Sequence, residues 1–296
     1  MRKRLVLLAC VVTCGCRGRA EETRPVPVTR SALVLATSTT LAPASGSSTD
    51  AGSGAGARLG TSVATSPCGE MVHVHGDYCP TVEHKCLAWL DPPGDRYEHF
   101  RCARYARPAT CKAPRRSLDF CIARTEEHDP ATLVPVNRAS WTEATRICRA
   151  QGARLCTAAE WQFACEGEEM RPYAYGFERD SSACNVDIAA GLGRVGRLVD
   201  HRVAVGSKPR CTSAFGVFDM AGNVWEWVAD YYQENYYSIL GENPSNPTGP
   251  VAGLERVLRG GSWSNSLKSV RATLRNFSDP SKAYNYVGFR CARDAP

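Results

Sequence analysis

Arg259-Gly260-Gly261-Ser262-Trp263 is followed about 25 residues later by Gly288-Phe289-Arg290-Cys291, and upstream of both stands Asp219-Met220-Ala221-Gly222-Asn223-Val224-Trp225-Glu226-Trp227. Around these stretches, from Ala183 onward, the chain is rich in glycine and poor in hydrophobic periodicity. That implies loops and short strands rather than long elements. Further upstream the pattern changes. Ser140 opens a helix, and Glu143, three residues on, completes a capping box. Trp141, Ala144, Ile147 and Cys148 give that helix an apolar stripe, and Gly152 closes it. Thr157 caps a second helix with Glu160 at its third position, and Trp161, Phe163 and Ala164 face inward. Phe120-Cys121-Ile122-Ala123-Arg124 reads as a short strand. Few helices and many short strands make an α+β domain.

Taken in order, these stretches resemble the sulfatase-modifying-factor family, also called formylglycine-generating-enzyme-like domains. Tyr173-Ala174-Tyr175-Gly176 and Ala183-Cys184-Asn185-Val186-Asp187 add two more points of likeness, and the resemblance runs over roughly residues 117–293. It implies an α+β, formylglycine-generating-enzyme-like fold with a C-type-lectin-like relationship. Ala123 stands where the family's opening strand often has an aspartate, and Cys156 replaces a usual proline.

The resemblance also implies sites. Glu226, with the main-chain carbonyls of Ala221, Gly222 and Val224, corresponds to a structural calcium site. Calcium takes several oxygens on a tight loop, and Gly222 lets the backbone pass close to the ion. A second calcium site maps onto Asn185 and Val186, with Asp200 or its competitor Asp187 as the carboxylate. Cys148 and Cys291 match a structural disulfide. A further family bridge would need a cysteine at Arg275, so Cys165 is left to pair with Cys184 or Cys211. The family's oxidase members bind copper through two cysteines, and here Asn265 and Val270 occupy those positions. Copper is therefore not expected, although a cleft around Ser262, Trp263, Asn265, Trp227 and Tyr286 is. Iron remains open, since related oxygenases bind it through histidines. Of six histidines here, His73 and His75 alternate on a probable strand and so face one side.

Fifteen cysteines are present, three of them before residue 17 and twelve from Cys68 to Cys291. An even number in an exported chain implies disulfides, six if all pair. Gaps of six residues or more argue against a zinc site, which favours tight cysteine pairs. Residues 67–116 form a cysteine-rich segment with few long apolar runs, before the family-like domain at 117–296.

Composition limits the function classes. The net charge of +6 comes largely from the N-terminus, since from Cys68 onward 28 basic side chains face 27 acidic ones. Total charge thus gives no reason to expect nucleic acid as a partner. Arg2, Lys3 and Arg4 precede the 11-residue apolar run from Leu5 to Gly15, too short to span a bilayer but fitting a signal peptide. Residues 1–16 read as a lipoprotein-type signal. Leu7-Leu8-Ala9-Cys10 best fits the letters of an acylation motif; Cys16 fits the length better and is the expected lipidation site. Residues 17–66, dominated by Ser, Thr, Ala, Gly and Pro, read as a disordered linker. The expectation is a noncatalytic, calcium-stabilised binding or accessory module, lipid-anchored in a bacterial cell envelope, with a protein or glycan ligand. The rival is an oxidoreductase of the formylglycine-generating or nonheme-iron type.

Overall fold

The computed structural model describes residues 66–95, 98–99, 101–188, 199–234, 236, 249–265 and 270–296. The signal segment with Cys16 and all but the last residue of the linker lie outside the described residues. Among the described residues, two helices and twelve strands follow one another as β1 (Val72–Tyr78), β2 (Val82–Glu83), β3 (Cys86–Trp89), β4 (Cys102–Tyr105), β5 (Thr110–Cys111), β6 (Arg116–Ile122), α1 (Trp141–Ala150), β7 (Arg154–Leu155), α2 (Ala158–Glu166), β8 (Trp225–Tyr231), β9 (Arg256–Arg259), β10 (Asn276–Ser278), β11 (Val287–Phe289) and β12 (Cys291–Asp294). Short, mostly antiparallel strands with few helices are the α+β arrangement expected.

One four-stranded sheet has the order β1-β6-β12-β7, and a second has β10-β9-β8-β11. All pairings in these two sheets are antiparallel except β11 with β8. β11 and β12 are separated only by Arg290. The chain therefore passes from one sheet to the other at that residue, which fixes where its side chain must go. Gly288 sits opposite Glu226 in the β11–β8 register, and a Cβ there would lie 2.6 Å from the carbonyl of Val136. Only glycine tolerates that approach.

Both helices carry the capping boxes read from the sequence: Ser140 accepts from the Glu143 amide and Thr157 from the Glu160 amide. Each reciprocal pair satisfies amides that a helix start would leave unpaired. α1 is amphipathic and buries Ala144 and Cys148. α2 is buried along its whole length, with Trp161, Phe163, Ala164 and Cys165 at zero exposure. A helix covered all round carries no polar face to solvent, so α2 is the central strut of the core.

Residues 67–116 share the first sheet with the rest, because β1 pairs along its length with β6, and position 117 lies inside β6. Five disulfides form among the described residues: Cys68–Cys121, Cys79–Cys111, Cys86–Cys102, Cys148–Cys291 and Cys184–Cys211. The expectation of six is corrected. Cys156 and Cys165 are buried free thiols. Cys184 and Cys211, the partners considered for Cys165, take each other. Cys165 faces the Met220 carbonyl from α2, and burial raises both thiols above their usual range. They pack as small apolar groups.

Candidate functional site

Glu226 on β8 is fully buried. Its two oxygens accept from Arg290 at 2.6 and 2.7 Å, and one also accepts from the Trp161 indole at 2.8 Å. Arg290 is equally buried and also donates to the carbonyls of Phe218 and Ala123. The crossing between sheets thus delivers a guanidinium onto a carboxylate in a dry centre, where a bidentate pair is strong. Two further buried acids stand close by. Glu126 accepts from the Asn223 side chain at 2.8 Å and the Val224 amide at 3.2 Å. Asp219 accepts from the Gly206 amide at 2.7 Å. Burial, then Asp219 and Glu226, push the Glu126 carboxyl well above its usual range. Burial likewise lifts Asp219 to about 6. Arg290 pairs with Glu226, and its charge only partly offsets the effect of burial on the other two acids. Glu126, Arg290 and Asn223 were not singled out from the sequence; buried charge pairs across 64 residues leave no local signal.

Of the expected calcium ligands, Glu226 lies in this centre. Glu226 itself is spent on Arg290 and Trp161 and does not offer the free carboxylate expected. Gly222, with φ of +95°, is pressed against another chain segment: a Cβ there would lie 2.4 Å from the Asn185 carbonyl. Ala221 and Val224 are buried, and the Asn223 backbone amide donates to that same carbonyl. At the second expected site, the Asn185 side-chain amide donates to the His201 carbonyl and to Asn223. Val186 is buried in an apolar cluster, Asp200 spends both oxygens on Arg202, and Asp187 pairs with Arg179 at 2.7 Å. Among the described residues no group of three or more His, Cys, Asp or Glu side chains stands ready to hold a metal.

Of the five residues expected to line a cleft, Ser262, Trp263 and Trp227 are buried, and Asn265 and Tyr286 are half-buried. The Ser262 hydroxyl donates to Asn265 Oδ1 at 2.7 Å and lies 3.0 Å from the Ser264 hydroxyl. Trp263 is fully buried beside His201, rings 5.3 Å apart, and neither its Nε1 nor His201 Nε2 finds a partner among the described residues. Trp227 is also fully buried and donates to the Ala139 carbonyl. Tyr286 is half-buried and stacks on Tyr284, and burial raises its hydroxyl pKa.

The expectation that the cysteine pair is lost to Asn265 and Val270 is overturned. A pair is intact: Cys86 and Cys102 are joined as a disulfide. They sit with Val270, Tyr105, Tyr173 and the Cys184–Cys211 bridge in one apolar cluster. The identity of residues 265 and 270 therefore does not decide whether the chain is an enzyme. The sequence could not show this, because Cys86 and Cys102 lie far from the Arg259–Trp263 stretch along the chain and meet Val270 only in the fold.

An open groove of about 740 Å³ runs beside this cluster, lined among others by Tyr175, Phe177, Arg179, Asp180, Arg210 and Thr212. Tyr175 stacks on Tyr173 with ring centres 5.4 Å apart. Arg210 pairs with Asp180 and donates to the Ser182 hydroxyl. The groove joins an aromatic wall to two guanidinium groups, a combination suited to polar ligands.

Comparison with known proteins gives the family. The sulfatase-modifying factor enzyme 1-like domain matches residues 82–295. The chain belongs to this family. Its match begins at β2, so most of the cysteine-rich segment falls within it. The family includes both catalytic and noncatalytic members. The formylglycine-generating enzyme of Streptomyces coelicolor is 36% identical over 170 residues, covering 54% of this chain and 53% of that protein. A serine/threonine-protein kinase, pkn1 of Chlamydia pneumoniae, is 34% identical over 162 residues, covering 54% of this chain and 24% of the kinase. The chain thus spans about half or less of the curated relatives it matches. Among solved structures, PvdO from Pseudomonas aeruginosa has a TM-score of 0.52 at 19% identity, covering 77% of this chain and 95% of that one. That likeness shows the fold alone.

Proposed function

We propose that this family member is an exported, membrane-tethered binding or accessory module of the cell envelope, with the C-type-lectin-like relationship that its family implies. Its ligand, a glycan or peptide, sits in the groove of Tyr175, Arg179 and Arg210. The observation that carries the reading is the contrast between the Ser262–Trp263 stretch, whose side chains are buried in the core, and this open, charged and aromatic groove. Five disulfides favour an oxidising compartment. Cys16 provides the lipid anchor. Calcium, which the family resemblance implies, is placed beside Glu126 and Asp219, two buried acids bonded to amide donors rather than to a cation. Arrays of glycans and peptides, probed with the mature protein, test the groove. Binding abolished by Tyr175→Ala with Arg210→Ala is the expected result, and binding indifferent to both would overturn it. Mass spectrometry of the mature N-terminus tests the anchor, which an unmodified start beyond residue 20 would remove.

A second reading is favoured by the intact Cys86–Cys102 pair and by the identity to a formylglycine-generating enzyme: an oxidoreductase acting on a cysteine-containing substrate. Its test is incubation of the protein with copper, oxygen, reductant and a sulfatase-type cysteine peptide. An aldehyde product, seen by mass, would put this reading first.

A further inference from the structure

β1 is an edge strand of the first sheet. Val72 and Val74 point into the core, so His73 and His75 share the outward face. Their ring centres lie 4.8 Å apart. Asp119 on β6 is directly opposite His75 in the register. Its carboxylate nonetheless reaches His73, with Nε2 to Oδ1 at 2.6 Å. Two imidazoles and one carboxylate from neighbouring strands therefore meet on a single exposed face. We propose that His73, His75 and Asp119 bind a divalent transition cation of the zinc or nickel class.

Ligand chemistry selects the class. Neutral imidazole suits zinc, copper and nickel, while magnesium and calcium take oxygen. Two ligating nitrogens on a tetrahedral zinc, each about 2.0–2.1 Å from it, stand about 3.3 Å apart. Rings whose centres are 4.8 Å apart meet that requirement by turning about their side-chain torsions. The present His73–Asp119 contact is a hydrogen bond in which Nε2–H donates to Oδ1. A metal ion would replace that proton, which leaves to solvent, and Oδ1 would withdraw by about 0.7 Å. Metal binding with proton release is the usual exchange for such ligands. As they stand the three groups do not enclose a common point, and metal binding requires the His75 ring to turn and Oδ1 to withdraw.

The scaffold holds the ligands still. His73 lies opposite Cys121, which is tied to Cys68 by a disulfide. Ligands on paired strands are positioned more accurately than ligands on loops. Three protein ligands leave a fourth position for water or an anion. His75 also lines an open pocket of about 400 Å³ with Gly76, Glu168 and Phe215.

Calorimetric titration of the mature chain with Zn²⁺ and with Ni²⁺, and with Mg²⁺ as control, tests the site. One ion per chain should bind for the first two and none for the third. His73→Ala and His75→Ala should each weaken binding about tenfold or more, and Asp119→Asn by a smaller factor. His99→Ala should change nothing. Absent binding, or binding that survives His73→Ala combined with His75→Ala, would overturn the assignment. Protection of both imidazoles from carbethoxylation by Zn²⁺ in the unsubstituted chain reads the same contact without any variant, and lack of protection would likewise reject it.

Discussion

The centre around Glu226 and Arg290 and the hairpins between residues 82 and 111 are held together by opposite means. At the centre, Trp161, Trp227, Phe289 and α2 exclude water almost completely. Burial supplies the stability, and Glu226 persists as a buried charge because Arg290 pairs with it. In the hairpins, β2 and β5 are two residues each, and Leu87 and Trp89 on β3 remain 52% and 42% exposed. There is little apolar surface to bury, so Cys79–Cys111 and Cys86–Cys102 stabilise the region by restricting the unfolded chain. Burial thus carries the centre, with Cys148–Cys291 as an added tie, while the hairpins depend on their covalent staples.

The sharpest way to break the comparison is to remove one charge from the centre. Arg290→Met leaves Glu226 buried without its counter-ion, and the expected loss is about 3–5 kcal/mol. Urea denaturation measures it, and Glu226→Gln added to Arg290→Met should recover much of the loss. A single variant as stable as the parent would show that water reaches the pair.

Opening the Cys86–Cys102 bridge with Cys86→Ser and Cys102→Ser should cost about 3 kcal/mol, as for other loops of this length. The loss should be local. Hydrogen exchange should accelerate in residues 82–111 and stay slow in α2. Equal acceleration in both would erase the distinction between the two regions.

Calcium should strengthen only the centre. At about a hundredfold excess over its Kd the ion adds about 2.7 kcal/mol by mass action. Chelator should lower the melting temperature, and Glu126→Gln should shrink that response. A melting curve blind to chelator would remove calcium from the protein.

A fourth perturbation is pH. Glu166, fully buried at the end of α2, is pushed up to about 8 by burial. Its folded pKa exceeds the unfolded value near 4.5, so the folded state holds the extra proton. The contribution is present below about pH 4.5 and is lost as pH rises to about 8, with a slope of at most about 1.4 kcal/mol per pH unit. Glu166→Gln should flatten that slope, as measured by stability at about pH 5 through 8. An unchanged slope would assign it elsewhere, Asp230 at about 7 being the next candidate.

Local features are legible along the chain itself. The capping boxes at Ser140 and Thr157, the alternation of His73 and His75, and the α+β class all depend on neighbours within a few residues, and periodicity and capping act over that range. The family can be read from the stretches at 219–227, 259–263 and 288–291. Long-range pairing cannot. Twelve cysteines suggest six bridges, yet burial of Cys156 and Cys165 within the core leaves five. The free ligand expected of Glu226 is half of an ion pair, because Arg290 sits at the crossing between two sheets. Cys86 and Cys102 join Val270 in one cluster although well over a hundred residues separate them. Sequence determined which segments fold and what family they compose. Which charge meets which, and which thiol meets which, was decided by packing, because burial sets both the cost of a lone charge and the geometry a disulfide requires.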